Sequence, residues 1–82
     1  MALPGAAGPA LVTVRLPITL GQFVKVSGLA ATGGEAKQLV AAGLVRVNAD
    51  VEIRRGRKLS PGDTVEARGA TARVVADDDR GA

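Results

Sequence analysis

The chain has 82 residues, 46% of them hydrophobic and 23% charged, with a net charge of +3; this fits one small globular domain and leaves no room for a second independent core. One Phe and no Trp or Tyr make the core aliphatic, and the absence of Cys and His excludes disulfides, thiolate metal sites and the usual nucleophile–base pairs. A reducing, cytoplasmic compartment is the expectation that fits such a chain.

Residues 1–10, "MALPGAAGPA", lack a basic n-region, and Pro4, Gly5, Gly8 and Pro9 interrupt any apolar run, so the segment reads as a flexible leader and not as a signal peptide. No run approaches transmembrane length. "LVTVRL", residues 11–16, alternates and is rich in β-branched residues, predicting a short strand stopped by Pro17. In "TLGQFVKVSGL", Thr19 and Gln22 make a capping-box pattern, Leu20, Phe23 and Val24 share one helical face, and Gly28 ends a helix of about two turns. The pattern repeats in "TGGEAKQLVAAG": Thr32 caps, Glu35 closes the box, Ala36, Leu39 and Val40 form the apolar stripe, and Gly43 terminates.

"LVRVNADVEIR" has strand composition on both sides of a turn. A three-residue loop of Asn48, Ala49 and Asp50 sets Val47 against Val51 and Val45 against Ile53, with Arg46 meeting Glu52 on the other face. A two-residue loop would mismatch apolar with charged side chains. Continued at period two, that strand would carry Arg55 and Arg57 onto the buried face, where unpaired guanidinium groups are too costly. A break is therefore expected near Gly56, with the basic side chains protruding before Leu59 returns to the core. Pro61 and Gly62 in "SPGD" predict a tight turn, and "TVEAR" and "TARVV" predict two further strands joined around Gly69. Residues 76–82 read as a disordered acidic tail, which leaves a single domain over residues 11–75.

Charge is unevenly placed. Between Ile18 and Leu59 seven basic residues face three acids, a local balance of +4, and Arg54, Arg55, Arg57 and Lys58 crowd around Gly56. Four cations so close repel one another unless an anion relieves them, so the cluster is either a binding surface for an anionic partner or a solvated patch. The acids suggest no catalytic pair and no metal cluster: Glu35 is explained as a cap, Asp63 as turn chemistry, and Asp77, Asp78 and Asp79 as a solvated run. No enzymatic activity, metal or cofactor is expected. Gly33 and Gly34 open the second helix beside Lys37, where free amides attract phosphate; equally, small residues there would let two helices approach closely. Phe23 is assigned to the core, so no aromatic platform remains for stacking bases, and contacts to RNA would rest on phosphates and shape.

Two short helices leading into "GLVRVNADVEIRRGRKLSPGDTVEA" resemble the S4 RNA-binding domain, and "ITLGQFVKVSGLAATGGEAK" with "RRGRKL" is similar to its small stand-alone bacterial branch. The resemblance covers residues 18–66. It implies an α+β, S4-like (αL) fold: an N-terminal strand and two short helices packed on a small antiparallel β-sheet. It also implies a non-catalytic module that recognises structured RNA, ribosomal or transfer, with the ribosome as a further partner and with neither a membrane nor a small-molecule substrate.

Carried over by position, the RNA-facing residues are Gly33, Gly34, Lys37 and Gln38 at the start of the second helix, Arg46 and Asn48 in the hairpin, and Arg54, Arg55, Arg57 and Lys58. Lys25, on the polar face of the first helix, is a secondary candidate. The chain departs from the family where Thr32-Gly33-Gly34 replaces a Ser-Arg-Ser-like helix entry and where Asn48-Ala49 replaces the common Asn-Gly turn. The N-terminal strand and "TARVV" lie outside the resemblance and are expected to pair. A monomer is expected. The competing function is a protein-interaction module whose basic loop docks an acidic partner surface.

Overall fold

The structure, a computed structural model, describes residues 9–77. Most of the leader expected over residues 1–10 and of the tail expected over residues 76–82 lies outside the described residues. The elements run β1 (Ala10–Val14), α1 (Leu20–Val26), α2 (Gly33–Ala41), β2 (Val45–Val47), β3 (Asp50–Val51), β4 (Thr64–Ala67) and β5 (Ala70–Ala76). Ala10 and Ala76 belong to strands, so regular structure extends one residue beyond each expected domain limit.

The five strands form one sheet in the order β1-β5-β4-β2-β3. Strands β2 to β5 pair antiparallel, as expected, while β1 lies parallel to β5 with Val12 beside Val74, so the sheet is mixed. Parallel neighbours require a crossover connection, and here nearly the whole domain serves as that crossover.

Alternation along the strands decides the faces. Val14, Val45, Val47, Val65, Ala67, Ala72 and Val74 are buried on one side and meet Leu20, Phe23 and Val24 of α1 and Ala36, Leu39 and Val40 of α2. Phe23 is wholly buried within this aliphatic set. The opposite face of the sheet is open and carries Arg46, Glu66, Thr71 and Arg73.

Both helices start and stop where local chemistry demands. The Thr19 hydroxyl accepts from Gln22 N at 3.3 Å and the Gln22 side chain accepts from Thr19 N at 2.9 Å, completing the capping box of α1. At α2 the Thr32 hydroxyl accepts from Glu35 N at 3.0 Å, but the Glu35 carboxylate reaches one residue further back, to Ala31 N at 2.7 Å. Gly43 N donates to Val40 O and Leu44 N to Leu39 O, the paired bonds of a Schellman ending with Gly43 at φ +75°.

The hairpin register differs from the expected one. A two-residue turn of Asn48 and Ala49, with φ of 52° and 74°, places Val47 opposite Asp50 and Arg46 opposite Val51. Arg46 therefore does not meet Glu52; its neighbour on the other side is Glu66 of β4. Val51 and Ile53 point outward, 55% and 64% exposed, and Glu52 points inward at 7% exposure. The expectation of a three-residue loop rests on the cost of setting charged side chains against apolar ones. That premise fails because Glu52 has its own cationic partners in the loop that follows. The break near Gly56 does occur, in a turn closed by Arg57 N donating to Arg54 O at 3.2 Å.

Candidate nucleic-acid interface

The basic loop is shaped by one carboxylate. Oε2 of Glu52 accepts from Arg54 Nε and from Arg54 N, both at 3.0 Å; Oε1 accepts from Arg54 Nη2 and Arg57 Nη1, both at 3.1 Å. Four donors converge on the two oxygens, and Glu52 has no unsatisfied buried atom. The Arg54 side-chain bonds, then its backbone N–H, then Arg57, hold the Glu52 carboxyl down at about 2 against an ordinary 4.5. Reciprocally, Glu52 raises the Arg54 pKa through the same side-chain bonds.

The loop is also docked by its backbone onto the first turn of α1. Leu20 N donates to Arg57 O at 2.8 Å and Gly21 N to Arg55 O at 3.0 Å, so two amides that a helix leaves unpaired are satisfied by the basic loop itself. Gly21 makes this approach possible, because a methyl group at that position would overlap Cγ and Cδ of Arg55.

These contacts divide the four cations into two kinds. Arg54 and Arg57 are bound to Glu52. The Arg55 and Lys58 side chains are exposed and make no hydrogen bond or ion pair among the described residues. Arg55 and Gly56 line a shallow hollow of about 350 Å³ with Thr19, Gln22 and Lys25 of the α1 region and with Gly33 at the start of α2. Lys25, the secondary candidate, thus lies in the same hollow as Arg55. It also borders a neighbouring hollow with Gln22, read from the sequence only as a cap, and Arg15, which sequence reasoning did not single out.

The start of α2 presents Gly33 and Gly34 to open space. A Cβ on Gly33 would meet nothing within 4 Å, and one on Gly34 only the Thr32 hydroxyl at 4.0 Å, so neither glycine is there to admit a neighbouring helix. Lys37 and Gln38 lie exposed one turn further along. Glu35 ties this helix start to the β4–β5 turn: its Oε1 lies 3.3 Å from Arg68 Nη1, and Arg68 Nη2 donates to Oε2 at 3.3 Å. The Ala31 N–H bond first, and Arg68 second, lower its pKa.

Two candidates stand apart. Arg46 projects from the open face of the sheet into a different hollow, shared with Leu44, Glu66 and Arg68. The Asn48 amide is committed within the fold: Nδ2 donates to Asp63 Oδ1 at 3.1 Å and Oδ1 accepts from Thr64 N at 3.0 Å. One signal for the geometry was present in the sequence. A glycine inside a helical segment, Gly21, marks close backbone approach, although it does not say what approaches.

Among the described residues no three potential metal ligands cluster, and no helix is long and apolar enough to cross a membrane. What the arrangement offers is a shallow, cation-rimmed surface built from α1, the start of α2 and the loop at residues 54–58, suited to a polyanion.

The chain is 48% identical over 52 residues to a probable ribosome maturation protein, RlbA, of Bacillus subtilis (strain 168), covering 63% of this chain and 73% of that one. It is 36% identical over 59 residues to a putative RNA-binding protein, YbcJ, of Escherichia coli (strain K12), covering 72% and 84%. The solution structure of E. coli YbcJ, described as revealing an αL motif involved in RNA binding, superposes with a TM-score of 0.64 at 32% identity, over 82% of this chain and 87% of that one. The S4 domain profile matches residues 14–75, from the end of β1 to near the end of β5, and the chain belongs to the S4 domain family.

Proposed function

We propose that this protein is a non-catalytic RNA-binding protein that takes structured RNA, ribosomal or transfer, through phosphate and shape contacts. The observation that carries the reading is the convergence of Arg55, Lys25 and the start of α2 at Gly33 on one hollow, with Arg54 and Arg57 held behind it by Glu52. Arg55, Lys58, Lys25 and Lys37 hold backbone phosphates, and the first turn of α2 holds another through its N–H groups. Arg54 and Arg57 fix the loop on which Arg55 and Lys58 are mounted. Base stacking has no part, because Phe23 is buried and no other aromatic residue is present. Of the two RNA classes, ribosomal RNA has the added support of the ribosome maturation name borne by the B. subtilis relative.

The test is affinity for a structured ribosomal RNA fragment as a function of salt. With about five phosphates neutralised, affinity falls roughly a hundred- to a few-hundred-fold between 50 and 200 mM salt. Affinity independent of salt contradicts the reading. A protein captured through the basic loop, with no RNA bound by the purified chain, supports the docking of an acidic partner instead.

A further inference from the structure

On the open face of the sheet, away from the hollow rimmed by Arg55 and Lys25, the register brings three aliphatic side chains together. Val51 and Ile53 are 55% and 64% exposed, and Leu44, which alternation sets across from Ile53, is 59% exposed. Strand β3 is an edge of the sheet. Asp50 and Glu52 face β2, with Glu52 N donating to Val45 O at 3.0 Å, so Val51 and Ile53 turn their backbone N–H and C=O groups outward. An apolar patch that borders unpaired backbone is what an added strand requires.

We propose that the free edge of β3 docks an extended segment of a partner protein, carrying an acidic residue between two apolar ones on the same face of its strand. With the acid set opposite Val51, one apolar residue lies opposite Ile53 and the other packs diagonally on Val51. The acid meets Arg46, which points to the same face as Val51 and makes no hydrogen bond or ion pair among the described residues. An added strand lies two strand spacings, about 10 Å, from β2, a gap that Arg and Glu side chains span together. RNA is the poorer occupant, because the three exposed aliphatic side chains give phosphate no partner and Glu66, paired with Arg46 on the same face, repels it. A second copy is poorer too, because three aliphatic side chains and two residues of backbone fall far short of the roughly 800 Å² per partner that a stable dimer buries. The contact is therefore an auxiliary one, effective when the partner is already held nearby, and it does not depend on which RNA is bound.

The probes are two synthetic heptapeptides of Thr with Val, Glu and Ile, or Val, Lys and Ile, at positions two, four and six, titrated into the full chain and followed by amide NMR. The expected result is shifts confined to residues 44–53 and an approximately tenfold slowing of amide exchange at Val51 and Ile53 on saturation with the Glu peptide. The Lys peptide binds roughly two- to fivefold more weakly, Arg46→Glu reverses that order, and Ile53→Asn removes the protection. Absence of protection, or shifts centred on residues 54–58, overturns the proposal. Self-association of the free chain that is lost in Ile53→Asn assigns the edge to a second copy, and shifts at Val51 and Ile53 on adding an RNA hairpin assign it to RNA.

Discussion

Arg54 lies two residues after Glu52 and places three donors on its carboxylate: the backbone N–H and Nε on one oxygen, Nη2 on the other. This local clasp turns the chain out of the sheet and neutralises part of the charge that would make the basic loop repel itself. It sorts four apparently similar cations into a pair that shapes the loop and a pair that faces outward.

Removing the carboxylate charge therefore weakens the fold while making the protein more basic. Glu52→Gln is expected to lower the thermal midpoint by about 5 °C or more at neutral pH, because Arg54 and Arg57 lose their charged acceptor. The pH dependence follows from the depressed pKa. The unfolded chain takes the proton more readily than the folded one, so the contribution of Glu52 is complete above about 4.5 and is lost as the pH falls toward 2. Denaturation profiles of wild type and variant between pH 6 and 2 should converge across that window; parallel profiles would show that the ion pair contributes nothing.

The outward cations should differ from the inward ones in a measurable way. Arg55→Ala and Lys58→Ala each lower the slope of log affinity against log salt by about one, with an unchanged thermal midpoint. Arg57→Ala should lower the midpoint, because its side chain is only 33% exposed and it supplies one of the donors to Glu52. Equal effects of all four on slope and none on stability would show that the clasp does not organise the loop.

Gly21→Ala reverses a familiar sign. At an open helix position the change stabilises by about 1 kcal/mol, but here the added methyl meets the Arg55 side chain. The expected outcome is a destabilisation of about 1–3 kcal/mol in chemical denaturation, from overpacking, together with weaker RNA binding as Arg55 is displaced.

Ala49→Gly is expected to act in the other direction. Ala49 holds φ of +74° in the two-residue turn, where an L side chain is strained and glycine is not. Relief is worth about 1 kcal/mol in denaturant unfolding, with no change in RNA affinity because the turn lies away from the hollow.

Much of this fold was legible from local rules. Thr19 with Gln22, and Thr32 with Glu35, set the helix starts through bonds between residues three apart, Gly43 ends the second helix, and the S4 resemblance gives their order. The hairpin was not legible, since its register turned on whether Glu52 could be buried. That depended on Arg54 and Arg57, in a segment without periodicity, folding back onto it. The parallel pairing of β1 with β5 joins positions about sixty residues apart, which no local pattern encodes. At the site, the charge cluster marks the loop that docks on α1 but does not divide it into the pair bound to Glu52 and the outward pair. The company of Lys25 with Arg55 and Gly33 is tertiary, so no local pattern shows it. The Asn48 amide gives no local sign of its commitment, since its partners Asp63 and Thr64 lie fifteen and sixteen residues further on.

The most direct measurement is crosslinking in cells followed by sequencing of the bound RNA, with wild type beside the Arg55→Ala/Lys58→Ala variant. The account predicts reads concentrated on one structured site, in ribosomal RNA, and lost in the variant although the variant stays folded. Reads that persist unchanged in the variant, or that are absent from wild type, would contradict it.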